Sequence, residues 1–259
     1  MARNRRISEP ARARRVFGQN FLADPLAVRT LIDAAGLPPG GLIYEVGAGR
    51  GRLTVELTGR GRRVVAYEVD PVQAAALPRR PGLEVKTEDF LGVRPPAEPF
   101  AVVGNIPYGL TAAVVDWCLR AETLTTATLL TQLEYARKRT GDYGRWSRLT
   151  ISTWPEVGWE LAGRIPRTAF RPVPRVDGGL LRLIRRPVPL VSDLSAYRSM
   201  VELGFTGVGG SLQETLSRRY GRARTAGAFR AVRVAATAPV GEVWPEQWLT
   251  LFRLLSALR

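Results

Sequence analysis

Three short clusters in this chain carry residue types that bind and handle a nucleotide. In the first, Glu45, Gly47, Gly49 and Gly51 fall at alternate positions. Glycines let a backbone turn tightly and let a ligand approach the main chain. Glu68 lies 19 residues beyond Gly49, and a carboxylate there can accept both hydroxyls of a ribose. The pattern is not the dinucleotide fingerprint GxGxxG, because Arg52 stands where its last glycine would be. The second cluster is Asp89-Phe90, an acceptor for an adenine amino group next to a ring that can cover the base. The third is Gly104-Asn105-Ile106-Pro107-Tyr108. The Asn105 carbonyl can accept from an exocyclic amine, and Tyr108 can stack on a base. Each cluster has a plainer reading: a structural turn for the glycines, a helix cap for Asp89, a loop around a buried ring for Tyr108.

The elements that must position these residues give the clusters their weight. Asp24, Pro25 and Gly36 punctuate a helix over 25–36 as N-cap, first position and stop. Apolar runs predict strands at 42–46, 64–69, 83–87, 100–103 and 126–131, with helices over 53–59 and 112–119. Alternating strands and helices imply a mostly parallel, doubly wound α/β sheet. All three clusters then follow strands, at the carboxyl edge where such sheets bind ligands. A last strand is expected at 178–184. Beyond a Pro-rich connector, only helical patterns follow, at about 193–204, 211–220, 225–234 and 245–257. The expected organisation is a basic tail over 1–16, an α/β domain over 17–186 and a small all-α domain over 187–259. The run 206–210, Thr-Gly-Val-Gly-Gly, reads as a turn between helices or as a phosphate-binding loop.

Composition narrows the chemistry. The chain has 259 residues, with 38 basic against 23 acidic, a net charge of +15. Lys86 and Lys138 are the only lysines, so arginine, which binds phosphates in a bidentate fork and stacks on bases, dominates. That balance suggests a nucleic-acid partner. Six arginines within residues 1–16 form a tail suited to RNA phosphates. There is no histidine, which removes His triads, His metal clusters and His general bases. The single cysteine, Cys118, excludes an intrachain disulfide or a CxxC metal site. No apolar run is long enough to span a membrane, and the charged N-terminus is not a secretory signal. The expectation is an intracellular, cytoplasmic monomer without a metal.

Phe17 to Leu22, Glu45 to Gly51, Glu68, Asp89, Asn105 to Tyr108 and Phe170 to Val176 occur in this order. Together they resemble the S-adenosylmethionine-dependent ribosomal RNA adenine dimethyltransferases. Asn-Ile-Pro-Tyr with an arginine-rich tail looks most like the Erm branch, which methylates an adenine of 23S rRNA and confers macrolide–lincosamide–streptogramin B resistance. The related small-subunit (16S) enzymes are the alternative. The resemblance implies a Rossmann-like methyltransferase domain followed by a small helical RNA-binding domain, with S-adenosylmethionine as cofactor and rRNA as partner. It implies that Asn20, Leu22, Gly47, Glu68, Asp89 and Asn105 bind the cofactor. Asn105, Tyr108 and Phe170 would act at the target base, with Phe170 on its far side.

Overall fold

The computed structural model describes residues 20–256, so the expectations for the 1–16 tail and for Phe17 to Gln19 lie outside the described residues. Nine strands occur among these residues: β1 (Phe21–Leu22), β2 (Leu42–Val46), β3 (Arg63–Tyr67), β4 (Leu83–Lys86), β5 (Phe100–Asn105), β6 (Leu124–Gln132), β7 (Val157–Ile165), β8 (Phe170–Arg171) and β9 (Gly178–Arg185). Seven of them form one sheet in the order β4-β3-β2-β5-β6-β9-β7. The strands β4, β3, β2, β5 and β6 run parallel, and β9 pairs antiparallel with β6. Chain order therefore reverses between β2 and β5, and a crevice opens at such a switch point. This is the Rossmann-like α/β sheet expected from the sequence.

The described residues divide into two compact units. The first takes the chain up to Ala136 together with Glu160–Ile184, and the second takes Arg137–Trp159 together with the chain from Arg185. In the first unit, β2 is buried on both faces, as a central parallel strand must be. Ile43, Val64, Ala101 and Val103 on one face pack with Leu31 and Ala35 of the helix Pro25–Ala35 and with Leu57 of the helix Arg52–Leu57. The first helix starts where Asp24 accepts from the Leu26 amide, and stops at Gly36, whose φ of 57° is left-handed. On the other face, Tyr44, Tyr67, Phe90, Phe100 and Trp117 form a chain of ring contacts. Gly104 lets β5 lie close to β2, since a Cβ there would sit 2.7 Å from the Val46 carbonyl oxygen.

Outside the sheet, β1 and β8 pair antiparallel, with Leu22 opposite Phe170 and Phe21 opposite Arg171. The amides of Ala23 and Asp24 both donate to the Ala169 carbonyl, at 2.7 and 3.1 Å.

The second unit corrects the expected boundary. It holds the helices Leu194–Phe205, Leu212–Tyr220, Arg222–Ala231 and Pro245–Ser256, but also the helix Arg148–Thr153. Ile151 of that short helix is fully buried among Tyr197, Met200, Leu216, Phe229, Trp248 and Leu251, and its carbonyl accepts from the Tyr197 hydroxyl at 3.1 Å. Six residues make less than two helical turns, too few to show an amphipathic period. The 206–210 run is a turn here: the Gly209 amide donates to Thr215 Oγ1 at 3.1 Å and the Gly210 amide to the Gly207 carbonyl at 3.0 Å.

One residue tests how tightly this unit is packed. A Cβ on Gly204 would stand 2.5 Å from Trp248 Cη2 and 2.7 Å from Leu212 Cδ1. Gly204→Ala is expected to destabilise this unit by about 1–3 kcal/mol through overpacking. Denaturant unfolding followed by tryptophan fluorescence reads this. An unchanged midpoint would mean that the indole and the leucine move aside freely.

Candidate active site

At the carboxyl edge of the first unit's sheet the three clusters come together in one cleft. Its two lobes share Gly47 and Pro107. The larger, about 430 Å³, is lined by Glu68, Val69, Asp89, Phe90, Leu110 and Val114 among others, within the usual size of a small-molecule site. The second is lined by Asn20, Phe21, Leu22, the turn Gly47–Arg50, Arg52, Asn105, Ile106 and Tyr108.

The floor of the cleft is the glycine turn after β2. Gly47 has a φ of 71°, a left-handed conformation that a side chain would strain. Its amide donates to the Tyr67 carbonyl at 2.9 Å. Glu68, at the end of β3, is buried and anchors this turn: Oε2 accepts from the Gly49 amide at 2.7 Å and Oε1 from the Asp70 amide at 2.9 Å. Each carboxylate oxygen keeps a second lone pair. Asp89 caps the short turn Phe90–Gly92 by accepting from the Leu91 amide at 3.0 Å through Oδ1. It thus serves as the cap that an acid after a strand suggests, while its exposed side chain still lines the larger lobe.

At the other lobe, Asn105 ends β5, and its Nδ2 donates to the Asn20 carbonyl at 2.7 Å. With the amide nitrogen engaged, Oδ1 remains as the acceptor of that side chain. Pro107 forces the turn that follows, and its carbonyl accepts from the Leu110 amide at 2.8 Å. Tyr108 lies against the same lobe with its hydroxyl buried and without a hydrogen-bond partner. Burial, and secondarily the Asp177 carboxylate, raise its pKa above the ordinary phenol value, so this ring stays neutral. Asn20 Oδ1 is likewise buried and unpartnered. Phe21 packs at the lobe with the Arg50 guanidinium 5.0 Å from its ring centroid.

The fit to an adenosyl-type cofactor can be judged from these atoms. One lobe offers carboxylates at Glu68 and Asp89 between the apolar walls of Val69, Phe90 and Leu110. The next offers a glycine cradle and an unpaired amide oxygen at Asn20. An adenine amine at Asp89, ribose hydroxyls at Glu68 and a methionine-like tail at the glycine cradle and Asn20 match these features.

Phe170 departs from expectation. Its side chain is fully buried and packs with Leu130, Ile165 and Leu180 in the core, and it lines neither lobe. On β8 it turns inward while the adjacent Arg171 turns out, so this ring supports the cleft from behind and is not placed to cover a base. Sequence reasoning also missed Phe21, Val69 and Leu110 as lining residues. The signal available for Val69 was its place directly after Glu68, where a strand end meets the crevice.

Beneath the turn, Glu45 is buried with neither carboxyl oxygen hydrogen-bonded. Burial pushes it up to about 7; Thr54 offsets part of that, and the Glu68 carboxylate adds to it. A folded-state value above the unfolded one means the folded chain binds this proton more tightly, so stability falls as pH rises through that window. Glu45→Gln is expected to raise the melting temperature at pH 8 by the equivalent of up to about 3 kcal/mol, and to leave it little changed at pH 4.5. Equal effects at both pH values would show that the carboxyl does not titrate there.

Comparison with known proteins agrees with the cleft. Residues 11–257 match the ribosomal RNA adenine dimethylase family. An rRNA adenine N-6-methyltransferase of Streptomyces fradiae is 52% identical over 256 residues, covering 96% of this chain and 80% of that protein. An rRNA methyltransferase of Streptomyces thermotolerans is 53% identical over 254 residues, covering 96% and 85% respectively. The crystal structure of the 23S rRNA methyltransferase ErmE superposes with a TM-score of 0.89 at 51% identity, over 92% of this chain and 100% of that one. With the Asn-Ile-Pro-Tyr turn set beside a glycine-floored cleft, and a match along nearly its whole length, this chain belongs to the ribosomal RNA adenine dimethylase family.

Proposed function

We propose that the protein transfers methyl groups from S-adenosylmethionine to the exocyclic amine of one adenine in 23S rRNA, and so confers macrolide–lincosamide–streptogramin B resistance in the cytoplasm. The observation that carries this reading is the junction of the two lobes at Gly47 and Pro107, which sets an acceptor and a flat ring beside a nucleoside-binding lobe.

In this reading Glu68 accepts the ribose hydroxyls and Asp89 Oδ2 the cofactor's adenine amine. Gly47, Leu22 and Asn20 border the methionine part. When bound, the cofactor supplies an electrophilic methyl on a sulfonium. The chain must present a nucleophile in line with it. An adenine amine is poor in that role because its lone pair is delocalised into the ring. Asn105 Oδ1 and the Ile106 or Pro107 carbonyl accept from the amine, hold it pyramidal and free the lone pair. Tyr108 stacks on the target base and fixes its plane. None of these groups is a base of the right strength, and the chain contains no histidine, so the proton leaves to water. The target adenine must leave its stack to enter, which favours an unpaired or bulged position.

The decisive experiment incubates the protein with S-adenosylmethionine and protein-free 23S or 16S rRNA, followed by primer extension. The expected result is a stop at a single adenine of 23S rRNA and none on 16S rRNA, with macrolide resistance in a sensitive host expressing the protein. Methylation of 16S rRNA alone would overturn the large-subunit assignment.

A further inference from the structure

A carboxylate outside the cleft ties together the segments that build one of its lobes. Asp177 stands one residue past the Phe170 to Val176 motif, directly before β9. It lines neither lobe. Its side chain is mostly covered, at 19% exposed, and both oxygens are used. Oδ1 accepts from the Arg167 amide at 2.8 Å, and Oδ2 from Arg164 Nε at 3.0 Å. The Arg167 amide first, and the Arg164 guanidinium second, hold this carboxyl below its usual pKa range. It is therefore ionised, and both bonds are charge-assisted. The Asp177 carbonyl accepts from the Leu133 amide at 3.0 Å, just past the end of β6.

These bonds close the stretch 166–176 into a loop with both ends fixed. Arg164 belongs to β7, and Arg167 opens the turn Arg167–Ala169 that leads into β8. The Ala169 carbonyl holds the Ala23 and Asp24 amides, and β8 pairs with β1. One residue before β1, the Asn20 carbonyl accepts from Asn105 Nδ2 at 2.7 Å. A continuous line of contacts thus runs from Asp177 through the turn, β8 and β1 to the Asn105 amide. Asn105 needs such a line. A side-chain amide has a donor end and an acceptor end, and they exchange places on a half-turn of χ2. The Asn20 carbonyl selects the orientation that leaves Oδ1 as the acceptor.

We propose that Asp177 is a positioning residue for methyl transfer: it fixes the turn that carries Ala169, thereby seats β1, and through the Asn20 carbonyl keeps Asn105 Oδ1 as the acceptor for the target amine. The inference rests on the role proposed above for Asn105. A misplacement of about 1 Å at a reacting group can cost about a hundredfold in rate, so a brace outside the cleft can set kcat. A carboxylate that only stabilises the fold would change the melting temperature and leave kcat alone.

The test uses the full chain and a protein-free 23S rRNA transcript. Asp177→Ala is expected to lower kcat about tenfold to a hundredfold. Its dissociation constant for S-adenosylmethionine is expected to stay within about threefold, because the lobe lined by Glu68 and Asp89 is untouched. Amide hydrogen exchange, which needs no activity, is expected to quicken at Ala23 and Asp24 and to stay as it was in β2 and β5. Asp177→Asn, which keeps an oxygen for the Arg167 amide, is expected to restore most of kcat and of that protection. Arg167→Pro probes the same bond from its donor side, and stands even where Asp177→Ala does not fold. Pro166 has φ −65° and ψ 143°, a conformation compatible with a following proline, and the first helical position tolerates one. Arg167→Ala loses the same side chain but keeps the N–H, and is expected to exceed Arg167→Pro in kcat at least about tenfold. An unchanged kcat in Asp177→Ala overturns the proposal. So do unchanged exchange at Ala23 and Asp24, exchange that quickens equally across the sheet, and equal kcat in the two Arg167 variants. Should the unsubstituted protein methylate no adenine of the transcript, the proposed activity fails, while the exchange comparison still decides whether Asp177 seats β1.

Discussion

Tyr108→Ala is expected to lower the methylation of 23S rRNA by about tenfold to a hundredfold, while S-adenosylmethionine affinity stays within about twofold. The size follows from stacking, since a base resting on an aromatic ring is held by about 1–3 kcal/mol. Most of the affinity is expected to remain because Glu68 and Asp89, the proposed adenosine acceptors, lie in a lobe that Tyr108 does not line. The hydroxyl provides the control. It is buried without a hydrogen-bond partner, so removing it deletes an unsatisfied group and leaves the ring in place. Tyr108→Phe is therefore expected to keep near-full turnover and to be at least as stable. Single-turnover methylation with saturating cofactor measures both variants. If Phe proves as damaging as Ala, the hydroxyl acts in the reaction and the stacking role is wrong.

Glu68→Ala is expected to act at two levels, because one carboxylate holds the turn and also lines the cleft. Loss of two charge-assisted acceptors for the ribose is expected to weaken S-adenosylmethionine binding by about 1.5–3 kcal/mol. Separately, the Gly49 and Asp70 amides lose the partners they have at 2.7 and 2.9 Å, which destabilises the cofactor-free protein by about 1–3 kcal/mol. Calorimetric titration gives the first quantity and thermal unfolding of the free protein the second. An unchanged dissociation constant together with a lowered melting temperature would reduce Glu68 to a structural brace for the glycine turn.

Legibility in the sequence varied with the kind of signal each residue carries. Asp24, Pro25 and Gly36 bound their helix as read, because caps and stops are local chemistry. The parallel strands were visible because central strands are apolar throughout, as in β2. β7 escaped notice: Gly158, Glu160 and Gly163 break its apolar run, and it lies at the sheet edge. The helix Arg148–Thr153 was too short to show a period. Gly47, Glu68, Asp89, Asn105 and Tyr108, legible from their motifs, line one cleft. Phe170 shows the limit of motif reading. A strand turns successive side chains to opposite faces, so a motif can place the aromatic on β8 without saying whether it faces the ligand or the core. Only the pairing with β1 settles that, and this contact spans most of the chain between Leu22 and Phe170.

That long-range pairing also orders events during synthesis. The pairs β2–β3, β3–β4 and β5–β6 join strands consecutive in the chain, and local contacts form early because little loop entropy is lost. The clasp of β1 with β8 can close only after β8 has been made, and until then Phe21 and Leu22 lack their strand partner. A nascent chain is therefore expected to build the five parallel strands before the cleft is walled. In the proposed reading, the capacity to hold a methyl donor is expected to be complete only after the segment that carries Ala169 and Phe170 has been made.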